Sequence, residues 1–484
     1  MIRIDSDLPE FYNDISEEVR LFFGRETITE AQEEEPADDV RTLGVRHSFD
    51  QDGTVFSACA EWEGQTLSQS AELPPDENAL VRKRLIKRCL KSTVFRLLKA
   101  NCGTETPWGS LTGVRPSKLF RELAETYGTE GAARTLSETY DVSSDKIRLS
   151  EEIYHIQKPV IDSASERDID VYVNIPFCVS KCLYCSFPSR VLKEGSSELD
   201  DYLSVLEKDI RFGGNIVSAT GRRVRAVYIG GGTPTVLSAT QLERLLLMIA
   251  DAYAVRGLEY TVESGRPDTI TEQKLRIMKK HGVTRISINP QTMNAETLVR
   301  MGRSHTPDQI TDAFRMARDA GFDDINMDLI AGLPGEGLKD FTASLDAVML
   351  LEPDDITVHS LALKRSAALF QTDFALNERE TASMIALSQE ELPKKGYLPY
   401  YMYRQKYMSG NLENIGYARP GKLCVYNIDM MEETAQIMSH GACAVSKRIY
   451  GSENRIERIF HPKDVTTYAS KLDQVNLQKQ MLFN

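Results

Sequence analysis

The chain of 484 residues is 41% hydrophobic and 27% charged, the balance of a globular protein with room for about three domains. That balance excludes a collagenous, low-complexity or wholly disordered chain. A formal net charge of −13 disfavours sequence-independent binding to nucleic acid or to an anionic membrane.

Residues 1–14 lack the basic and apolar regions of a secretory signal. The longest strongly apolar stretch, Leu245 to Ala250, is far too short to span a bilayer. The reading is a cytoplasmic protein without a membrane span. Residues 1–160 read as a separate α/β module of unassigned role. In it, 43–49 and 54–62 alternate like two strands, with Asp50-Gln51-Asp52-Gly53 as the turn. Residues 33–39 read as an exposed acidic loop. From about Asp76 to Ala100, Leu80, Leu85, Leu90, Val94, Leu97 and Leu98 recur at helical spacing. The other face carries Arg82, Lys83, Arg84, Lys87, Arg88 and Lys91, either a solvated surface or a patch for RNA or an acidic ligand.

Strand-like segments then alternate with helical ones. The strands are expected at 170–176, 225–230, 258–264, 285–289, 324–331 and 354–361, with helices at 238–253, 271–281, 307–320 and 338–351. Such alternation argues for βαβ units and a parallel sheet. The fold class is therefore α/β: a partial (β/α)6 barrel over 165–375, with the N-terminal module before it. Residues 376–484 read as a small, mainly helical C-terminal domain. It has helices at 379–394 and 464–481 around a loop-rich aromatic stretch, Tyr397 to Tyr407.

Three of the eight cysteines crowd into Cys178, Cys182 and Cys185, on a loop that follows the first barrel strand. Three thiolates on one loop can hold three corners of an iron–sulfur cluster and leave one iron open to a small molecule. A zinc site, with Cys424 or Cys443 drawn in from the tail, and three ordinary thiols are the alternatives. The C-terminal end of a barrel strand is where such folds carry chemistry.

Cys-x3-Cys-x2-Cys with Tyr184 before the third cysteine resembles the radical S-adenosylmethionine superfamily. Gly230-Gly231-Gly232-Thr233-Pro234, at the end of the second strand, resembles its methionine-binding loop. The chain particularly resembles the oxygen-independent coproporphyrinogen III oxidase-like group. Pro107-Trp108-Gly109-Ser110 and the residues to Pro116 resemble its HemZ-type branch, and 376–484 resembles the oxidase's own tail. The resemblance implies a [4Fe–4S] cluster on Cys178, Cys182 and Cys185. It also implies S-adenosylmethionine held by Tyr172, Tyr184, Gly231, Gly232, Thr233, Glu263, Gln291, Arg303, Asp328 and the backbone of Ala362. Each residue alone is an ordinary strand-end cap; at consecutive strand ends they read as one site.

The implied activity is oxidative decarboxylation of coproporphyrinogen III propionates to vinyls, giving protoporphyrinogen IX in haem biosynthesis. One-electron cleavage of S-adenosylmethionine to a 5′-deoxyadenosyl radical would start it. The implied partners are a tetrapyrrole substrate and an electron donor such as flavodoxin or ferredoxin, with nucleic acid not expected. His281, His305 and His359 are acid/base candidates at the barrel mouth, His305 the best placed. Departures from the oxidase are Phe187, where it carries a further cysteine, and Gly265-Arg266-Pro267 after Glu263. Arg266 reads as an anion contact or a plain surface arginine.

A haem-binding chaperone of the same family is the competing class, and a radical enzyme for another tetrapyrrole a third. The chaperones' tail has a His-Asn pair after a Tyr-Ala-x-Pro-Gly element. This chain has Tyr417-Ala418-Arg419-Pro420-Gly421 and then Tyr426-Asn427, so Tyr426 is the remaining candidate axial ligand.

Overall fold

A computed structural model describes all residues except 25, 31–39, 76–78, 105, 114, 194–196 and 452–454. The acidic stretch 33–39 and the first turn of the helix expected from Asp76 lie outside the described residues. The chain divides into two compact units, Met1–Glu151 with Gly410–Leu412, and Glu152–Ser409 with Glu413–Asn484. No helix of the described residues is long and apolar enough to cross a membrane.

The first unit holds β1 (Ile2–Ser6), α1 (Tyr12–Phe23), β2 (Ile28–Glu30), β3 (Arg41–Phe49), β4 (Val55–Trp62), β5 (Gln65–Glu72), α2 (Ala79–Cys102) and α3 (Pro116–Tyr140); α4 (Ser144–Asp162) begins at its end. The sheet order is β2-β1-β3-β4-β5. Alternation decides its core. Phe56, Ala58, Ala60 and Trp62 of β4 are buried together with Ile15 and Val19 of α1 and Leu90, Val94, Leu97 and Leu98 of α2. Leu80, read as part of the apolar face, is exposed. Part of the basic face of α2 is engaged inside the unit: Lys87 pairs with Asp14 at 3.0 Å, Lys91 with Glu18 at 3.0 Å, and Arg82 donates to the carbonyl of Gly53 at 2.8 Å, while Lys83 and Arg84 are exposed.

The second unit contains β6 (Asp168–Ile175), β7 (Phe177–Cys178), β8 (Arg190–Val191), α5 (Glu198–Ala219), β9 (Arg223–Gly231), α6 (Ala239–Ala252), β10 (Glu259–Glu263), α7 (Glu272–Lys280), β11 (Arg285–Ser287), α8 (Ala295–Arg300), α9 (Pro307–Asp319), β12 (Ile325–Ala331), α10 (Leu338–Leu351) and β13 (Asp355–Ser360). β6, β9, β10, β11, β12 and β13 lie side by side in chain order, all parallel, as the strand–helix alternation predicts. Local signals set the helix starts. Ser238 and Gln241 form a capping box at α6, and Thr306 and Gln309 another at α9. Loss of such a cap costs about 0.5–2 kcal/mol.

The tail extends this sheet at both edges. It consists of α11 (Glu378–Lys394), β14 (Leu398–Tyr403), β15 (Asn414–Ala418), α12 (Val425–Glu432), β16 (Gln436–His440), β17 (Val445–Tyr450), β18 (Arg455–Phe460), α13 (Val465–Ser470) and α14 (Leu472–Phe483). β15 and β14 add antiparallel to β13, while β16 adds parallel to β6 and is followed by β17 and β18. The aromatic stretch read as loop is thus largely strand β14. Glu259, at the N-terminal end of β10, accepts from the backbone N–H of Val425 and Tyr426 at 2.6 and 2.9 Å. A carboxylate there satisfies the free donors of the first turn of α12.

α14 is anchored by charge. Lys479 and Asp209 of α5 form a fully buried ion pair at 2.5 Å, and Tyr468 donates to the same carboxylate at 2.6 Å. Burial opposes the Asp209 charge, yet Lys479 and His440 hold its carboxyl well below the usual range. The oxygen that accepts from Tyr468, Oδ2, also accepts from Gly441 N at 3.1 Å, which ties the turn after β16 to α5.

Candidate functional site

The chain leaves β6 through β7 directly into the cysteine loop. Backbone bonds from Arg190 N to Pro176 O (2.8 Å) and Leu192 N to Cys178 O (3.1 Å) close the loop's base. Leu183 N to Met301 O (3.1 Å) and Ser180 Oγ to Gly302 O (3.1 Å) dock its middle on the segment after α8. Cys178 and Cys182 are buried and Cys185 is half-buried; all three are free thiols. Burial, and then the neighbouring Cys182 and Cys178, push the Cys185 thiol above its ordinary value. A metal group binding these sulfurs would displace their protons, because the thiolate is the ligand form. Among the described residues no three His, Cys, Asp or Glu side chains converge on one metal position. A four-iron cluster bound at separate irons needs no such convergence.

The glycine loop at the end of β9 lies against that loop. Gly232 N donates to Ile175 O at 2.9 Å, Thr233 N to Phe177 O at 2.8 Å, and Thr233 Oγ1 to Cys178 Sγ at 3.5 Å. Gly231 sits at φ +117°, and a Cβ there would lie 2.3 Å from Asn174 Oδ1. Only glycine combines that backbone with that approach.

Glu263, at the end of β10, accepts from Tyr228 O–H at 2.7 Å and Gly231 N–H at 3.1 Å. Burial pushes its carboxyl up to about 7. Gln291 holds φ +68° and donates its N–H to Asp328 O at 2.9 Å, a left-handed conformation uncommon outside glycine and typical of functional turns. Asp328 accepts from Asn326 Nδ2 at 2.8 Å and lies 3.6 Å from His359 Nε2. Leu361 O and Leu363 N bond on either side of Ala362, whose bridge partner is Met408, so its own N–H and C=O face away from that pairing. Tyr172 donates to Asn174 Oδ1 at 2.9 Å and stacks 6.2 Å from Tyr228. The structure thus gathers the glycine loop, Glu263 and Tyr172 around the exit of β6, and Gln291 and Asp328 on the adjoining strands.

Arg303 uses all of its donors within the protein. It bonds Tyr184 Oη (3.0 Å), Gly265 O (3.0 Å), Asn289 O (2.6 Å) and His305 Nε2 (3.3 Å), and its Nη1 lies 3.9 Å from Cys182 Sγ. A ligand carboxylate would have to exchange with one of these. Tyr184 is thereby tied to the cysteine loop's arginine.

Several placements differ from the sequence reading. Arg266 is neither a surface residue nor an open anion contact: it is 3% exposed and paired with Asp268 at 2.8 Å. His305 is shut between Arg303 and Asp268, and burial lowers its pKa, so it faces no open substrate space. His281 ends α7 and contacts Glu243 of α6 at 3.1 Å, at the end of the sheet away from the mouth. Only His359 adjoins the candidate site, bonded to Tyr403 Oη at 3.4 Å. Tyr426 is enclosed, stacked 4.5 Å from Tyr228 and 6.2 Å from Tyr172, with no open face for an axial ligand. Cys424 donates to Glu259 and Cys443 to Lys463 O, and neither points to the three clustered thiols. Asn174, Tyr228 and Asp268 were missed; no local spacing marks them, because strand pairing alone brings them to the site.

The chain matches the radical SAM superfamily over residues 172–348. It is 34% identical, over 99% of its own length and 95% of the relative's, to the oxygen-independent coproporphyrinogen-III oxidase-like protein HemZ of Bacillus subtilis (strain 168). It is 35% identical to the heme chaperone HemW of that organism, across 41% of this chain and about half (52%) of that one. Among solved structures, coproporphyrinogen III oxidase (HemN) from Escherichia coli is similar in fold. It aligns with a TM-score of 0.53 at 22% identity over 68% of this chain and 79% of that one.

Proposed function

The chain belongs to the radical SAM superfamily, in the group of the HemZ-type proteins, whose cofactors are a [4Fe–4S] cluster and S-adenosylmethionine; on that premise we propose that it is a tetrapyrrole oxidase. The reaction proposed is oxygen-independent decarboxylation of coproporphyrinogen III. Each of two propionates loses a hydrogen atom, CO2 and one electron, the electron passing to a one-electron acceptor, and becomes a vinyl group. The observation that supports the radical part of this reading is the packing of the glycine loop onto Cys178 beside the buried Glu263; the tetrapyrrole rests on the likeness to the HemZ protein. When bound, the cluster and S-adenosylmethionine supply one-electron cleavage to a carbon-centred radical.

The protein's own part is binding and aim. Cys178, Cys182 and Cys185 would hold the cluster. Gly231, Gly232 and Thr233 would let the backbone approach the methionine end, and Glu263 would take its ammonium. Gln291, Asp328 and the Ala362 backbone line the adenosine end; Tyr172 and Tyr184 wall the site. Glu263 must be ionised to pair with an ammonium. S-adenosylmethionine affinity is therefore expected to rise up to about tenfold per pH unit below 7 and to level off above it. Glu263→Gln should weaken binding about tenfold or more at pH 8 and remove that slope. Titration calorimetry across pH 6–8 checks both, and an unchanged slope in the variant would refute the role.

A haem-binding protein is the second reading, favoured by Phe187, which stands exposed where the resemblance to the oxidase would place a further cysteine, and by the likeness to the heme chaperone HemW. One anaerobic assay separates the two. The reconstituted protein receives reductant, S-adenosylmethionine and coproporphyrinogen III, and 5′-deoxyadenosine and porphyrin masses are followed. Loss of two carboxyl groups with 5′-deoxyadenosine supports the oxidase. Cleavage with the porphyrinogen unchanged means a radical enzyme for another substrate. No cleavage, with haem retained stoichiometrically, favours the chaperone.

A further inference from the structure

Cys182 is the cysteine on which charge converges. Arg266 leaves β10 three residues after Glu263, and its side chain turns back into the cysteine loop. Its Nε and Nη2 donate to both oxygens of Asp268 at 3.0 and 2.8 Å. Its Nη1 donates to Ser180 Oγ at 2.7 Å and lies 4.0 Å from Cys182 Sγ. Arg303 Nη1 stands 3.9 Å from the same sulfur. Ser180, two residues before Cys182, donates its own O–H to Gly302 O. One guanidinium is thus tied to the loop, to the sulfur and to a counter-ion at once.

These contacts have an electrostatic consequence. Two guanidiniums and one carboxylate leave a net positive charge against the sulfur, with His305 buried between Asp268 and Arg303. Reduction of a cluster adds negative charge, and N–H groups and cations at a ligand sulfur favour the reduced state. In this low-dielectric setting the effect is stronger than it would be in water.

Resting on the cluster reading above, we infer that Arg266 tunes the cluster: it raises the reduction potential through Cys182, and Asp268 offsets part of its charge. Arg266 is a positioning residue, its guanidinium held by Asp268 and Ser180. The pair explains why an arginine is buried at this point of the loop, where a surface residue or an anion contact was expected.

The test is a redox titration of the reconstituted protein without S-adenosylmethionine, followed by electron paramagnetic resonance, with iron content measured alongside. For Arg266→Gln the reduced-to-oxidised ratio at a fixed solution potential should fall about tenfold, a shift of ~59 mV for a one-electron couple. Asp268→Asn leaves the guanidinium without its counter-ion and should shift the potential the opposite way. Arg266→Lys, which keeps the charge, should fall between wild type and Arg266→Gln. Opposite shifts in the first two variants support the inference, because general loosening of the loop would move both alike. Shifts in the same direction, or no shift, overturn it. Failure of the wild type itself to assemble a four-iron cluster would refute the cluster reading, and this inference with it, by a different observation.

Discussion

Replacing Cys178, Cys182 and Cys185 together by Ala is expected to reduce bound iron and 5′-deoxyadenosine formation to background while the fold persists. The reason lies in what holds the loop. Its base and middle are fixed by backbone bonds from Arg190, Leu192 and Leu183 and by the Ser180 hydroxyl, none of which uses a thiol. The substitutions therefore remove donors for a metal group without removing the scaffold. Cys424→Ala and Cys443→Ala serve as controls and should keep full iron. Their thiols meet Glu259 and the Lys463 carbonyl. Full cleavage by the triple variant would sink the radical reading, and iron loss in either control would reopen the zinc alternative.

Gly232→Ala should be nearly as damaging although it touches no donor atom. A Cβ at this position would lie 2.5 Å from Phe177 O and 2.9 Å from Cys178 Sγ. Neither neighbour can yield cheaply, because Phe177 O already accepts the Thr233 N–H and Cys178 leads the cluster loop. Overpacking of this kind costs about 1–3 kcal/mol. The displacement also falls on the reacting geometry, where an error near 1 Å costs about a hundredfold in rate. Gly230→Ala provides the contrast. Its Cβ would meet the Glu263 carboxyl and the Tyr228 ring at 3.0 Å, so the strain falls on the proposed S-adenosylmethionine contact and not on the cysteine loop, and iron content should be kept while cleavage falls. Iron per chain and cleavage rate measured on the two variants check the argument. Wild-type cleavage by Gly232→Ala would mean that the glycine loop does not abut the reacting centre.

Much of this was legible from local chemistry. The six parallel strands are short β-branched runs between amphipathic helices, a pattern set by period alone, and the cysteine loop falls at the first strand's end as its spacing suggests. The tail was less legible for a definite reason. Leu398–Tyr403 carries Pro399, which ordinarily argues against a strand, and its register with β15 shifts between Pro399 and Tyr401. A bulge accommodates the proline, and no sequence period reports a bulge. Arg266 was misjudged for another reason. Asp268 is close in sequence, but Ser180 and Cys182 reach it only after β6 and β10 take their places in the sheet. The histidines show the same limit: type and position along the chain did not reveal that His305 is sealed between Asp268 and Arg303.

The pairing of β16 with β6 has a consequence for how the protein is made. Asn174, at the end of β6, meets Ala442 across a separation of 268 residues. At roughly 5–20 residues per second, a ribosome needs on the order of ten to fifty seconds to deliver that partner. During this interval Ile169, Val171, Val173 and Ile175, all buried in the finished protein, belong to a strand with one edge unpaired. A nascent chain therefore carries its cysteine loop beside an unpaired strand edge until β16 has been made and docked.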